Sequence, residues 1–426
     1  MKIALIDPPS PFLISDKVFP NIGLLRVATA LNQDHQVRFF DISGQNGLMS
    51  RIAKDFDYYL FTSTSPNFQQ VYKLHRQLKK ANPKAKTIIG GAHASAISVL
   101  RRNGLIDVNT QRLEEFDTVF EGEGEETSNI FKPGWQRGRL IKDIDDFPIP
   151  DRGLIDLKSY EYSLFGKPTT SIQTQRGCPY QCTFCSGRDV EMYNHVRFHS
   201  VERVLKEMDE LNRDYGFKSF MWYDDEININ PKRLEELCLA LEKRDYQHRG
   251  FVRSDLIVKH PELVQSMKMA GFVKLCTGVE SGSDDVLKRI RKGTTYQINL
   301  EAARIIQEAG IHYEAFLMVG HPGEKWEDVS QTIDWIREAR PDDFDINVVT
   351  PFPGSTMYDQ AIKSKRYPAF GFEYKGAYFN RVDFAIQPSF YKGIAGRSAT
   401  RIRTDFLTNI QIHQIREEIE RLKNIK

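Results

Sequence analysis

Along the first third of the chain, short β-branched runs alternate with stretches of helical period. The runs are "KIALID", "QVRFFDI", "YYLFTST", "KTIIGG" and "DTVFEGEGE", and the helical stretches between them include residues 23–31 and 71–80. This alternation predicts a doubly wound parallel sheet, whose ligands bind at the carboxyl edge of the strands. Gly90, Gly91, Gly122 and Gly124 follow strands at that edge, as ligand-approach glycines or as plain turn glycines.

Periodicity fades in "KPGWQRGRLIKDIDDFPIPDRG", which reads as a linker, and resumes at Ser171. Strands are predicted at "SIQTQ", "SFMWYDD", "GFVRSD", "VKLCTGVE", "YEAFLMVG" and "FDINVVTPF", with helices between them. Ser200 and Asn230 stand where caps belong, Pro231 at a first helical position, and Val201, Val204, Leu205, Met208 and Leu211 at helical spacing. Six strand–helix units predict a parallel barrel, complete or partial, with its sites on the carboxyl-terminal rim. Beyond it, an aromatic stretch "YPAFGFEYKGAYF" precedes a helix from about Arg401, with Phe406, Ile410, Ile415, Ile419 and Leu422 as its apolar stripe. The expected organisation is α/β: a Rossmann-like domain over 1–130, a linker over 131–165, a partial (β/α)6 barrel over 166–360 and an α-helical extension over 361–426.

Charge changes little in this picture. Lys and Arg total 59 against 57 Asp and Glu, a net charge of +2, so no field argues for nucleic acid or a membrane, and a small-molecule substrate is expected. The start, "MKIALIDPPSPF", is too short in apolar length for a signal peptide or a span, which predicts a cytoplasmic protein.

Cysteine changes the picture most. Three of the five lie in one window, Cys178-x3-Cys182-x2-Cys185, just past the first barrel strand. Such thiolates suit zinc, which would need a fourth ligand such as His195 or His199, or a [4Fe-4S] cluster with one iron left open. Cys238 and Cys276, on a helix and a strand, read as core residues.

"RGCPYQCTFCSG" resembles the loop of the radical S-adenosylmethionine (SAM) enzymes. "VRFHSVERVLKEMDEL", "MWYDDEI", "GVESGSDDVLKRIRKGTT", "FLMVGHPGEKWEDVSQTI" and "TPFPGSTMYD" are similar to successive signatures of the subgroup with an amino-terminal cobalamin-binding-type domain. The resemblance implies that Cys178, Cys182 and Cys185 hold a [4Fe-4S] cluster whose open iron chelates SAM, and that one electron then releases a 5′-deoxyadenosyl radical. By the same resemblance, Phe184 lies beside the adenine, Asp224 and Asp225 near the SAM amino group, and Arg253 near its carboxylate. Glu280 and Ser281 then face the ribose, and Met318 and Gly320 the adenine.

"NIGLLRVATAL", "FTSTSPNF", "GGAHAS" and "FEGEGEET" are similar to the cobalamin half of that subgroup. This implies cobalamin bound near Thr62, Ser63, Thr64, Gly90 and Gly91, although the Asp-x-His-x-x-Gly motif is absent and the domain is shortened after "GEGEET". His93 is expected to be structural. The resemblance implies methyl transfer from cobalamin, with electrons from a donor such as flavodoxin or ferredoxin. The alternatives are a non-methylating radical dehydration, epimerisation or cyclisation, and a cofactor-binding sensor.

Overall fold

The computed structural model describes residues 1–10, 13, 15, 17–42, 52, 56–363, 371–374, 377–380 and 402–424. Apolar runs that lie central in a parallel sheet must be covered on both faces. Strand β1 (Lys2–Asp7) meets that demand, being buried from Ile3 to Asp7. It sits between β2 (Gln36–Asp41) and β3 (Tyr58–Thr62), followed by β4 (Lys86–Gly90), β5 (Thr118–Glu121) and β6 (Gly134–Arg137), all parallel in the order β2-β1-β3-β4-β5-β6. The order reverses between β1 and β3, which makes their carboxyl ends the switch point at which doubly wound sheets open a crevice. The sixth strand corrects the sequence reading, because "GWQR" belongs to the sheet and not to a linker. In place of a helix and hairpin after "GEGEET", a three-residue turn (Thr127–Asn129) and this one strand complete the sheet.

Helix α1 (Ile22–Leu31) starts at Asn21, whose Oδ1 accepts from Leu24 N at 3.1 Å while its Nδ2 donates to Asp7 Oδ1 at 2.9 Å. That pairing fixes the helix start against the end of β1. Helix α2 (Phe68–Ala81) follows β3, and α3 (Gly91–Arg102) begins at the residue after β4.

The second sheet runs β7 (Thr170–Ile172), β8 (Ser219–Trp222), β9 (Gln247–Phe251), β10 (Phe272–Glu280), β11 (His312–Val319) and β12 (Asp343–Val348), all parallel and neighbours in sequence order. Among the described residues β7 and β12 remain its two edges, so the barrel is partial. Its helices obey the predicted signals. Ser200 caps Val201–Tyr215, accepting from Arg203 N, and buries Val204, Met208 and Leu211; Asn230 caps Pro231–Leu241. Strand β9 begins and ends earlier than its apolar run suggested, because a short helix (Ser254–Lys259) takes over. Arg253 thereby stands above the rim.

The extension is not purely helical. Strands Gly371–Tyr374, Ala377–Asn380 and Ile402–Thr404 form an antiparallel sheet ahead of α4 (Asn409–Arg421), which Thr408 and Gln411 cap reciprocally. Because the helix starts at 409, its buried stripe is Ile412, Ile415 and Ile419, while Ile410 and Phe406, expected inside, are 65% and 55% exposed. The side chains of "YPAFGFEYKGAYF" lie outside the described residues. No helix among the described residues is long and apolar enough to cross a membrane.

One apolar cluster runs through both sheets, from Ile6 and Ile97 to Met357 and Tyr358. Within it, Tyr358 Oη donates to Asp107 Oδ2 at 2.6 Å, joining the helix after β12 to the cap of helix Val108–Leu113 in the first domain. A buried hydrogen bond to a carboxylate contributes about 1.5–3 kcal/mol. Tyr358→Phe should therefore lower the unfolding free energy read from a urea titration by about 1.5–3 kcal/mol, with the cysteine loop intact; an unchanged value would show that the two units are not joined there.

Candidate functional site

The cysteines sit in a loop opened by a two-stranded antiparallel ribbon, Gln175–Arg176 against Arg197–Phe198. Gly177 has φ +86, and a Cβ there would lie 2.2 Å from His195 O, so only glycine allows the turn into Cys178. Cys178 N donates to Tyr193 O at 2.9 Å, and Arg188 Nη1 donates to the carbonyls of Cys178, at 2.9 Å, and Tyr180. From outside, Thr183 N donates to Ile290 O and Met357 N to Thr183 O, each at 2.9 Å. Gly354, with φ +84, lies against Ser186 so closely that a Cβ would come within 2.4 Å of its carbonyl. Two separate barrel segments, around Ile290 and over 354–357, thus pin one short loop from outside.

Cys182 is buried, and Cys178 and Cys185 are partly open. Burial pushes the Cys178 thiol up to about 11 and raises that of Cys182, so thiolates there require a cationic partner, which cluster iron supplies. A single zinc would need its donors about 2.0–2.3 Å from one point. Among the described residues no three Cys, His, Asp or Glu side chains converge so. His199 Nδ1 bonds Asp145 at 2.8 Å and His195 Nδ1 bonds Asn194 at 2.7 Å, and among the described residues neither ring joins the thiols in a group that could hold one ion. A cluster, which spreads its thiolates over separate irons, fits this donor set better than one ion. Cys238 and Cys276 are fully buried away from it, the latter bonded to Glu314 Oε2 at 3.2 Å.

The residues expected around SAM divide into open and committed groups. Asp224 is committed, since its oxygens accept from Thr174 N (2.7 Å), Thr174 Oγ1 (2.6 Å) and Gln175 N (2.9 Å), bracing the backbone that enters the ribbon. Asp225 opens into the neighbouring cleft. The acid that sequence reasoning passed over is Glu226, whose Oε2 is buried without a partner. Burial lifts its carboxyl to about 7, against the pull of Lys292 and Arg253. The third acid of "YDDEI" was the available signal.

Arg253 stacks over Tyr180 at 3.5 Å and gives Nε to Asp255 and Nη2 to Lys292 O, each at 2.8 Å. Glu280 ends β10 with φ +65, accepting from the buried Lys292 Nζ at 2.8 Å. That ion pair lies across Gly278, where a Cβ would fall 2.4 Å from Glu280 Oε1 and 2.6 Å from Lys292 Nζ. A non-glycine residue held at positive φ marks stored strain at the barrel rim. Ser281 is spent in the next turn, accepting from Ser283 N at 3.1 Å beside Thr332. Phe184 packs on Val286, Leu287 and Ile290. Met318, on β11, is half-buried, and Gly320, with φ +91, donates its N–H to Glu324 at 2.5 Å.

At the switch point of the first sheet lies a cleft of about 670 Å3, within the range of small-molecule and cofactor sites. Thr62, Ser63, Thr64, Gly90 and Gly91 all line it, as do Asp7 and Pro8 after β1. Gly91 has φ +89, and a Cβ would come within 2.7–2.9 Å of Thr62 Oγ1 and the Ser63 backbone. Ser63 Oγ is buried with no partner. His93 is off this wall: it stacks on Phe68 at 4.1 Å, bonds Ser65 at 2.9 Å through Nδ1, and is pushed down to about 4 by burial. The opposite wall comes from the barrel, with Gln173, Arg176, Gly177, Tyr193, Tyr223 and Asp225. The cleft and the cysteine loop therefore share one wall, which no spacing in the sequence announced.

Comparison with known proteins bears on both sheets. Residues 172–336 match the family model of the radical SAM superfamily, and residues 15–131 that of the B12 binding domain. An uncharacterized methyltransferase of Pyrococcus horikoshii is 27% identical over 393 residues, which cover 85% of this chain and 83% of that protein. The anaerobic magnesium-protoporphyrin IX monomethyl ester cyclase of Rubrivivax gelatinosus is 25% identical over 323 residues, 68% of this chain but 56% of the cyclase, so the chain spans just over half of that relative. Among solved structures, the radical S-adenosylmethionine methyltransferase TsrM from Kitasatospora setae, with tryptophan and a SAM analog bound, shares the fold with a TM-score of 0.64. Its identity is 15%, over 93% of this chain and 81% of that one. The two family models fall on the two sheets in order, and the chain accordingly belongs to the radical SAM superfamily, with a B12-binding domain ahead of its barrel.

Proposed function

We propose that this radical SAM enzyme carries out cobalamin-dependent methyl transfer to an unactivated carbon of a small molecule. The observation that carries the reading is the shared wall: the cleft fitted to cobalamin and the loop fitted to the cluster meet at Arg176, Gly177 and Tyr193. When bound, the cluster supplies one electron to the sulfonium of SAM, which splits into methionine and a 5′-deoxyadenosyl radical able to take hydrogen from carbon. The chain's own work is to hold and shield. Cys178, Cys182 and Cys185 ligate the cluster, and Arg253 offers a guanidinium to the SAM carboxylate. Glu226 and Asp225 take the SAM ammonium, Glu280 with Lys292 borders the ribose, and Phe184, Met318 and Gly320 border the adenine. Asp224 positions the ribbon and touches no ligand. Thr62, Ser63, Thr64, Gly90 and Gly91 surround cobalamin, with glycine letting the backbone approach it. The electron would come from a flavodoxin- or ferredoxin-type donor.

A second reading keeps the radical and drops the methyl, and the cyclase relative favours it. Methyl-labelled SAM with a small-molecule extract separates the two. Label appearing on carbon supports methyl transfer, whereas 5′-deoxyadenosine without label transfer supports a rearrangement or ring closure.

Two substitutions follow from the geometry. Glu226→Gln removes a buried charge-assisted partner worth about 1.5–3 kcal/mol, so equilibrium dialysis with labelled SAM should show a Kd raised about tenfold or more at unchanged iron content; an unaltered Kd would remove Glu226 from the SAM site. Gly91→Ala should abolish retention of hydroxocobalamin at micromolar concentration while SAM and dithionite still yield 5′-deoxyadenosine. Retention equal to that of the unsubstituted chain would mean that cobalamin does not use this cleft.

A further inference from the structure

We infer that Arg176, Arg197, Glu123 and Glu125 form a buried strut that sets the separation of the two cofactors, an inference that rests on cobalamin occupying the cleft. Arg176 and Arg197 are direct cross-strand partners in the ribbon that opens the cysteine loop, one two residues before Cys178 and the other twelve after Cys185. Two like charges so placed repel unless something lies between them. Glu123 does so. Its Oε1 accepts from Arg176 Nη1 at 2.9 Å and Arg197 Nη1 at 2.7 Å, and its Oε2 from Arg197 Nη1 at 2.8 Å and Ile141 N at 3.0 Å. Glu125 takes Arg176 Nη2.

The side chains of Arg176, Arg197, Glu123 and Glu125 are only 12%, 7%, 1% and 5% exposed, so the pairs are not the weak, screened kind found on surfaces. Burial raises the Glu125 carboxyl, yet the Arg176 guanidinium outweighs it and holds that group below the usual carboxylate range. Arg197 also reaches Met192 O at 3.0 Å inside the loop. Breaking such a network strands a buried charge, and the loop carrying it must shift.

Both carboxylates come from "EGEGE", the loop after β5. Gly122, Glu123, Gly124, Glu125 and Arg176 also line the cleft. One loop thus offers the wall of the cleft and grips the foot of the cysteine loop. Hydrogen abstraction and methyl transfer at a substrate held between two cofactors tolerate little error in position, about an ångström costing on the order of a hundredfold in rate. Arg176 is therefore a positioning residue.

The test is pulsed electron double resonance between the dithionite-reduced cluster and cob(II)alamin in the full-length protein loaded with both, compared with Arg176→Met. The substitution keeps length and removes the charge. The expected result is unchanged iron content and, in the molecules that retain cobalamin, a shifted or broadened distance distribution. Full occupancy with an unchanged distribution would overturn the strut, and so would an unchanged distribution in Glu125→Gln, the milder variant to use should Arg176→Met fail to fold. A role in stability alone would lower the unfolding temperature and leave the distance unmoved. An unsubstituted protein that retains no cobalamin would overturn both the strut and the cobalamin reading beneath it.

Discussion

A parallel sheet places all of its strand-to-helix loops at one edge, so two parallel sheets can build a common chamber only when those edges face each other. That constraint organises this molecule. Loops after β1, β3, β4 and β5 form one wall of the cleft, and loops after β7 and β8 form the other. The cysteine loop belongs to the barrel and is gripped by the first domain. Neither sheet alone contains the chamber.

Close approach comes at a cost that the sequence meets with glycine and with paired charge. Gly177, Gly91, Gly278 and Gly354 each stand where a Cβ would fall within 3.0 Å of another group, and all four positions touch the cysteine loop, the cleft or the rim. Charges buried around them are mostly matched, as with Lys292 and Glu280 or Arg152 and Glu207. Several buried polar atoms nonetheless lack a partner, among them Glu226 Oε2 and the Ser63 hydroxyl, and Ser63 lines the cleft. An unpartnered polar atom on the cleft wall is open to a hydrogen bond from a ligand.

Much of this could be read from residues alone. The cysteine spacing, the glycines after β4 and the six strand–helix units depend on local sequence, and the structure carries each of them. What local sequence could not show was which of several adjacent acids is free. Asp224 and Glu226 are alike in type and two apart in sequence, yet one braces Thr174 and Gln175 and the other is open, because the ribbon folds back over only one of them. The strand at Gly134–Arg137 escaped notice since it is four residues long and gains its identity by pairing with β5. In the terminal helix Ile415 and Ile419 are buried as the apolar pattern predicts, whereas Phe406 and Ile410 are exposed, for the start at Thr408 depends on a cap that the apolar pattern does not encode. Tyr193 and Tyr223 join the cleft only through tertiary folding.

The account depends most on a cluster held by Cys178, Cys182 and Cys185 with one iron free for SAM. Electron paramagnetic resonance of the anaerobically reconstituted, dithionite-reduced protein tests this directly. A [4Fe-4S] signal whose g values shift on addition of SAM is the predicted result. Zinc on the thiolates, or a cluster signal indifferent to SAM, would contradict it.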